Sequence, residues 1–266
     1  MTHLSETAAM PPPQDRNISA SFAKGLAVLE AFDGDAARMT LAELARRTGQ
    51  DRATARRGAM TLLAAGYLRQ EGRDFVLTHK VLGLAGGFLQ ANQFGRLVQP
   101  VLNHHAGQMQ TEITLAVRDN NRVMLLAQST LVHGPVSYGF TAGSSLPLLH
   151  TSLGRMLLAA VEPDEAEQIL RHSPCVRHTA QSLSHLPDIL AEVDRARDTG
   201  LSITNGEFEP GITGFATLVG GPGAKALVVG SSAPEAGLSK TRSAQICASL
   251  QQCAADLRQA GVLSAI

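Results

Sequence analysis

Residues 41–68, LAELARRTGQDRATARRGAMTLLAAGYL, hold two short amphipathic runs on either side of a glycine turn, and the reading of that turn decides the N-terminal fold. The hydroxyl of Thr40, just before the first run, can accept an orphan amide, and Glu43 three residues on completes a capping box. Leu41, Leu44 and Ala45 then share one apolar face. Gly49 suits the left-handed conformation that ends a helix, and Asp51 can cap the next helix, from Arg52 to about Ala65, which stops at Gly66. At about 100° per residue, Ala55, Ala59 and Leu62 make one narrow apolar stripe. Ala53, Arg56 and Arg57 point to the far side, and Arg52 lies on the first turn. The pattern predicts helix, tight turn, helix, with arginines and core on opposite faces.

Working outward, SFAKGLAVLEAF (21–32) places Phe22, Leu26, Leu29 and Phe32 at helical spacing, with Ser21 as the candidate cap. On the other side, YLRQ and FVLT are β-prone runs joined by EGRD, a loop of hairpin length. Three helices and a hairpin describe a winged helix-turn-helix. HKVLGLAGGFLQANQF (79–94) reads as a linker helix that Gly86 and Gly87 weaken in its middle.

Beyond residue 97 the pattern changes. LVQPVLNHHAGQMQ is helical, and EITLAVRD and RVMLLAQS are strands meeting at an Asn-Asn turn. A third strand, PVSYGF, leads through TAGSSLPLLH to a helix at TSLGRMLLAAV. Helices near 163–172 and 186–199 precede the strands LSITNG, ITGFATLVG and AKALVVGSS, and a last helix covers 239–260. Antiparallel strands with helices on one face predict an α+β, sensor-like domain. The expected division is a disordered tail over 1–18, a winged domain over 19–79, a linker helix over 80–96 and a larger domain over 97–266.

Composition sets limits. The chain has 266 residues, 44% hydrophobic and 17% charged, which is that of a folded protein of two domains. No apolar run approaches the roughly 18 residues of a membrane span, and the N-terminus lacks a secretory pattern, so no membrane partner and a cytoplasmic location are expected. Cys175, Cys247 and Cys253 are too irregularly spaced for a disulfide framework and read as free thiols. The formal net charge is zero, which argues against nonspecific coating of nucleic acid but leaves a local basic face open.

That face is expected at the arginine helix. The N-terminal half of the second helix of such a motif enters the major groove, where guanidinium groups bond guanine edges or phosphate. Ala53 and Thr54 are small enough for close approach. A solvated helix face is the alternative for an isolated helix. Here Arg46 and Arg47 end the preceding helix, and Arg69 and Arg73 lie on the hairpin, so the winged arrangement gathers them along one edge and favours double-stranded DNA.

From SFAKGLAVLEAF through residues 41–68 to GEFEPGITGFATLVG, the chain resembles the IclR family of bacterial transcription regulators, over about residues 19 to 262. Within it, SFAKGLAVLEAF and RATARR most resemble the PcaR and PobR type regulators of aromatic acid breakdown. The resemblance implies a winged reader, a linker helix and a GAF-like effector-binding domain with an antiparallel sheet, assembled as a homodimer or homotetramer on operator DNA. It carries DNA contact to Arg52, Ala53, Thr54, Arg56 and Arg57, and to Arg73 in the wing, with Thr40 capping a helix and touching phosphate. Gly58 departs from the family's usual apolar residue. A void is expected beneath the reader helix there, to be filled by Met60 or Leu63.

SLPLLHTSLGRMLLAA (145–160) suggests where a small molecule sits. After the apolar run ends at His150, Thr151 or Ser152 can begin a helix whose first amides lack internal partners, a natural anion site. A carboxylate is expected at the Ser152, Leu153 and Gly154 nitrogens, with the Thr151 and Ser152 hydroxyls assisting. An ordinary capped helix is the alternative; the resemblance favours the effector site. It also implies that TNGEFEPGITG, with Thr204, Glu207 and Gly214, and the following strand, with Val228 and Gly230, line the pocket. Small residues at these positions make it roomier and less polar, which suits an aromatic acid better than a two- or three-carbon oxoacid.

Other constellations are weak. His104 and His105 diverge by about 100° on a helix and cannot both face one ion; one is expected to cap or to lie at a dimer surface. Glu207 and Glu209 have the look of an acid/base pair, yet no nucleophile accompanies them. Gly220, Gly221 and Gly223 lack the lysine and hydroxyl spacing of a phosphate loop, and a β-turn is expected instead. Neither a catalytic residue, a metal nor a cofactor is expected. The competing function is a small-molecule hydrolase or binding protein with an accessory helical domain, its activity centred on His150 and Glu207.

Overall fold

The computed structural model describes residues 17–32, 36–130, 141–221 and 225–265. The expected tail and the expected strand PVSYGF fall almost wholly or wholly outside these residues, as does Gly223. The chain divides into two compact units, Met1–Phe88 and Leu89–Ile266.

In the first unit, α1 (Ala20–Glu30), α2 (Leu41–Thr48) and α3 (Arg52–Ala64) pack with β1 (Arg38–Thr40), β2 (Leu68–Glu71) and β3 (Asp74–Leu77). The Thr40–Glu43 capping box forms in full, Gly49 ends α2 at φ +63°, and Asp51 caps α3. The hairpin turns on Gly72 at φ +64°. Ser19, not Ser21, caps α1. The three-residue strand β1 was not legible in the sequence; it pairs antiparallel with β3, giving the order β1-β3-β2. Val28, Phe32, Met39, Leu44, Ala59, Leu68 and Phe75 form the core. Phe22 and Leu26, read as part of the buried stripe of α1, remain exposed at 68% and 39%.

The expected void at Gly58 is absent. A Cβ built there would lie 3.1 Å from Val28 Cγ2 and 3.6 Å from Gly25 Cα. Two glycines let α1 and α3 come close, and Val28 of α1, rather than Met60 or Leu63, fills the space.

At the far end of α3, Lys80 Nζ donates to the Ala65 carbonyl at 2.7 Å and lies 4.7 Å from the Tyr67 ring centroid. Thr78 Oγ1 donates to the Gly66 carbonyl at 2.6 Å. The helix α4 (Val81–Ala91) follows directly and runs through Gly86 and Gly87, where an added Cβ would meet nothing within 4 Å. The single linker helix expected over 80–96 is interrupted: Gln93 turns left-handed at φ +51° before the short α5 (Phe94–Leu97). Phe94, 4% exposed, is anchored in the core of the second unit, which sets where the helix must stop.

The second unit is built on six antiparallel strands: β4 (Ile113–Asp119), β5 (Arg122–Gln128), β6 (Ser145–Pro147), β7 (Leu201–Asn205), β8 (Ile212–Gly220) and β9 (Leu227–Pro234), in the order β6-β5-β4-β9-β8-β7. Helices were expected on one face; they cover both. On one face α6 (Gln99–Met109) and α10 (Lys240–Gln259) place Leu102, Ala106, Ile246, Leu250 and Leu257 against Leu115, Phe215 and Val229. On the other, α7 (Ser152–Ala159) and α9 (Leu186–Thr199) place Met156, Leu157, Ile189 and Val193 against Ala116, Leu125, Ala216 and Val228. The central strands are apolar on both sides because both sides are covered. The short helices α8 (Pro163–His172) and α11 (Val262–Ala265) complete the unit.

Candidate nucleic-acid interface and ligand cavity

On α3, Ala55 and Ala59 are completely buried, while Arg52, Ala53, Arg56 and Arg57 are exposed, as is Arg73 in the hairpin turn. Among the described residues, Arg52, Arg56 and Arg73 have no ion-pair or hydrogen-bond partner, and Arg57 reaches only the Thr54 hydroxyl, at 3.1 Å. Thr54 is engaged locally: its amide and hydroxyl both donate to the Asp51 carboxylate, at 2.9 and 2.6 Å. Thr40 is likewise held by Glu43. By contrast Arg38 and Arg69 are paired with Glu71. The free guanidinium groups thus concentrate on the outer face of α3 and the hairpin tip, away from the apolar stripe.

The second unit contains a cavity of about 110 Å³ beside the N-terminus of α7. An engineered apolar cavity of about 150 Å³ admits benzene, so the space is near that of a single ring. Thr151 caps α7: the Gly154 amide donates to its hydroxyl at 3.1 Å, and that hydroxyl donates to the Pro147 carbonyl at 2.8 Å. The cap therefore uses the Gly154 amide and leaves those of Ser152 and Leu153 as the orphan donors of the first turn. Ser152 and Thr204, each 5% exposed, both line the cavity, and among the described residues neither hydroxyl has a hydrogen-bond partner.

Glycines bring these groups together. In the register Thr204 pairs with Gly214, and Gly214 with Ser232. A Cβ at Gly214 would stand 2.8 Å from Ser152 Oγ and 2.9 Å from Thr204 Oγ1, so the two hydroxyls flank one bare point of the sheet. At Gly230 a Cβ would fall 2.6 Å from Leu153 Cδ2, and at Gly154 only 2.0 Å from the Leu148 carbonyl oxygen. At Gly230 and Gly154 the added atom would also meet backbone, of Phe215 and Leu148, so the first turn of α7 can sit this close only because these two positions carry no side chain.

Of the residues expected at the effector site, Thr151, Ser152, Leu153, Thr204, Gly214 and Gly230 line the cavity. Four others do not. Gly154 is packed on Leu148, and Val228 lies fully buried in the sheet core between Ala116 and Leu218. His150 is buried behind the helix start, its Nε2 donating to the Leu183 carbonyl at 2.9 Å while Nδ1 has no partner. Burial pushes its imidazole below the ordinary value. Glu207 is turned inward to Arg155, with Nη1 to Oε1 at 2.7 Å and Nη2 to Oε2 at 2.5 Å. Engaged in this way, His150 and Glu207 are not a free acid/base pair.

Sequence reasoning missed Glu112 and Gln128, and within the expected segment TNGEFEPGITG it named Glu207 for the pocket where Phe208 and Glu209 line it. Gln128 Nε2 donates to Glu112 Oε2 at 2.8 Å, and burial raises the Glu209 carboxyl above its ordinary range. Among the described residues no arginine or lysine lines the cavity. Elsewhere, His105 Nε2 contacts Asp256 Oδ2 at 2.7 Å and ties α6 to α10, so it is a packing residue, 3% exposed.

Residues 21–72 match the IclR helix-turn-helix domain and residues 88–259 the bacterial transcriptional regulator IclR C-terminal domain. The p-hydroxybenzoate hydroxylase transcriptional activator of Acinetobacter baylyi is 31% identical over 75% of this chain and 75% of its own. The Pca regulon regulatory protein of Pseudomonas putida is 29% identical over 77% of this chain and 70% of its own. Among solved structures, an IclR family transcriptional regulator from Brucella abortus superposes with a TM-score of 0.79 at 26% identity, covering 98% of this chain and 99% of that one. A helix-turn-helix reader joined to an effector domain makes the protein a DNA-binding transcription regulator that responds to a ligand. The chain belongs to the IclR family of bacterial transcription regulators, and its relatives give no support to the hydrolase reading.

Proposed function

We propose that the effector is an aromatic monocarboxylate, bound in the cavity at the start of α7. The observation that carries this is the pair of buried, unpartnered hydroxyls of Ser152 and Thr204 flanking Gly214 beneath the orphan amides of Ser152 and Leu153. Four neutral donors at the positive end of a helix suit a carboxylate without a lysine or arginine. Leu125, Leu146, Leu153 and Phe208 supply apolar walls for a ring. The relative named for p-hydroxybenzoate hydroxylase and the Pca regulator agree with an aromatic acid. Calorimetric titration with benzoate-type ligands and with short oxoacids tests the reading; preference for the short acids overturns it.

On the DNA side, Arg52, Arg56, Arg57 and Arg73 are the contacts, with Ala53 permitting close approach and Thr40 and Thr54 fixing the two helix starts. The protein works in the cytoplasm as a homodimer or homotetramer on a two-fold operator, a reading supported by the apolar side chains left exposed on α1 and α4, Phe22, Leu26, Leu82, Leu84 and Phe88. Effector binding shifts the operator-bound population by its unequal affinity for the two arrangements. Changing Arg56 and Arg57 to Ala should abolish operator binding and keep effector binding; loss of both, or of neither, contradicts this assignment.

A further inference from the structure

Resting on the aromatic-acid reading of this cavity, we infer that Glu112 selects ligands that carry a hydrogen-bond donor at the ring end remote from the carboxylate, and excludes those that carry a second carboxylate there. The α7 end of the cavity offers donors: the Ser152 and Leu153 amides and the hydroxyls of Ser152 and Thr204. The opposite end offers an acceptor. Glu112 stands one residue before Ile113, which pairs with Ser231 on β9, while Gly214 pairs with Ser232 on the strand beyond. Glu112 is thus two strands away from Gly214, roughly 10 Å at the usual strand spacing. That distance accommodates one aromatic ring with a polar group at each end.

Glu112 is held in place by a neighbouring amide. One of its carboxylate oxygens, Oε2, accepts from Gln128 Nε2 at 2.8 Å, and the Gln128 backbone carbonyl in turn accepts from Gln99 Nε2 at 2.9 Å. Among the described residues no ion pair to Glu112 exists and no lysine or arginine lines the cavity. An ionised carboxylate has only acceptor sites, so it takes a hydrogen bond from a phenol or an aniline and gives none to a carboxylate. A second ligand carboxylate would meet like charge in a partly enclosed space with no cation among the described lining residues to compensate it. Glu112 therefore sets a carboxylate acceptor two strands from the donors at the start of α7, and the cavity's preferred ligands are hydroxy- or aminobenzoates.

The test is calorimetric titration of the full chain and of Glu112→Gln with benzoate, 3- and 4-hydroxybenzoate, 4-aminobenzoate and terephthalate, with thermal melts to check folding. The native protein should bind at least one hydroxy- or aminobenzoate roughly tenfold to a hundredfold more tightly than benzoate, the range of a hydrogen bond to a charged group, and terephthalate not at all. Glu112→Gln should narrow the preference and admit terephthalate, because the new amide donates. Benzoate binding as tightly as every substituted ring, or terephthalate binding the native protein comparably, overturns the role of Glu112 and leaves the aromatic-acid reading standing. An unchanged ranking in a folded Glu112→Gln protein overturns it too. Failure of every aromatic acid to bind overturns both. Should the variant not fold, the ranking in the native protein decides alone.

Discussion

Arg155 grips Glu207 through both guanidinium nitrogens and both carboxylate oxygens, with the Arg155 side chain 1% and the Glu207 side chain 10% exposed. Arg155 Nε also donates to the Leu149 carbonyl at 3.1 Å, and the Leu183 amide donates to Glu207 Oε2 at 3.4 Å. The pair fastens α7 to the segment in which Phe208 and Glu209 follow directly. Removing one member leaves a buried, uncompensated charge. Glu207→Leu is expected to destabilise the second unit by about 3–5 kcal/mol, and the Arg155→Met/Glu207→Leu double change by much less than the two single changes together. Urea denaturation of the four proteins measures this, and equal additivity would contradict it.

Gly58 faces Val28 rather than a void, so a larger side chain must displace α1 from α3. Gly58→Leu is expected to lower stability by about 1–3 kcal/mol, as overpacking does. A raised melting temperature would show that the helices part without cost.

Gly214 tests the cavity without disturbing its frame. In Gly214→Ala the new methyl meets two side-chain hydroxyls, not backbone. The melting temperature should change little, while affinity for an aromatic acid should fall at least tenfold, because the methyl occupies the point that the two hydroxyls share. Unaltered affinity, read by calorimetry, would place the carboxylate elsewhere.

His150 gives a pH dependence with a definite sign. Its Nε2 carries the proton donated to Leu183, so acid would protonate a buried Nδ1 that lacks an acceptor. The folded value is depressed below 6.5, chiefly by burial, with Arg155 adding to the effect and Glu207 opposing it; the His178 ring also lies close, at 5.2 Å. The unfolded chain therefore takes up the proton first. This contribution to stability is complete above about pH 6.5 and declines as pH falls through the folded value, by at most about 1.4 kcal/mol per unit. Glu209, with its raised value, works the other way. The drop in melting temperature between about pH 7.5 and 5.5 should be smaller in His150→Gln than in the native protein; an equal drop would assign the acid sensitivity to other groups.

What the sequence revealed followed the range of each interaction. The Thr40–Glu43 box, the Gly49 stop and the Asp51 cap lie within a few residues of one another, and all were legible. At the start of α7 the sequence left Thr151 and Ser152 as alternatives, and Thr151 is the cap. The strands β1 and β6, three residues each, exist only through partners more than twenty residues away, and no local pattern announces them. Glu112 and Gln128 reach the cavity because β4 pairs with both β5 and β9, a fact of topology. Glu207 was misplaced because its partner is 52 residues distant. A hint was nonetheless present: an arginine amid SLGRMLLAA, a run otherwise suited to burial, calls for a buried counter-charge.

Lys80 bears on how a signal reaches DNA. It closes the carboxyl end of α3 and stacks on Tyr67 one residue before α4 begins. Lys80 thereby ties the residue before α4 to the carboxyl end of the arginine helix, as a rivet does.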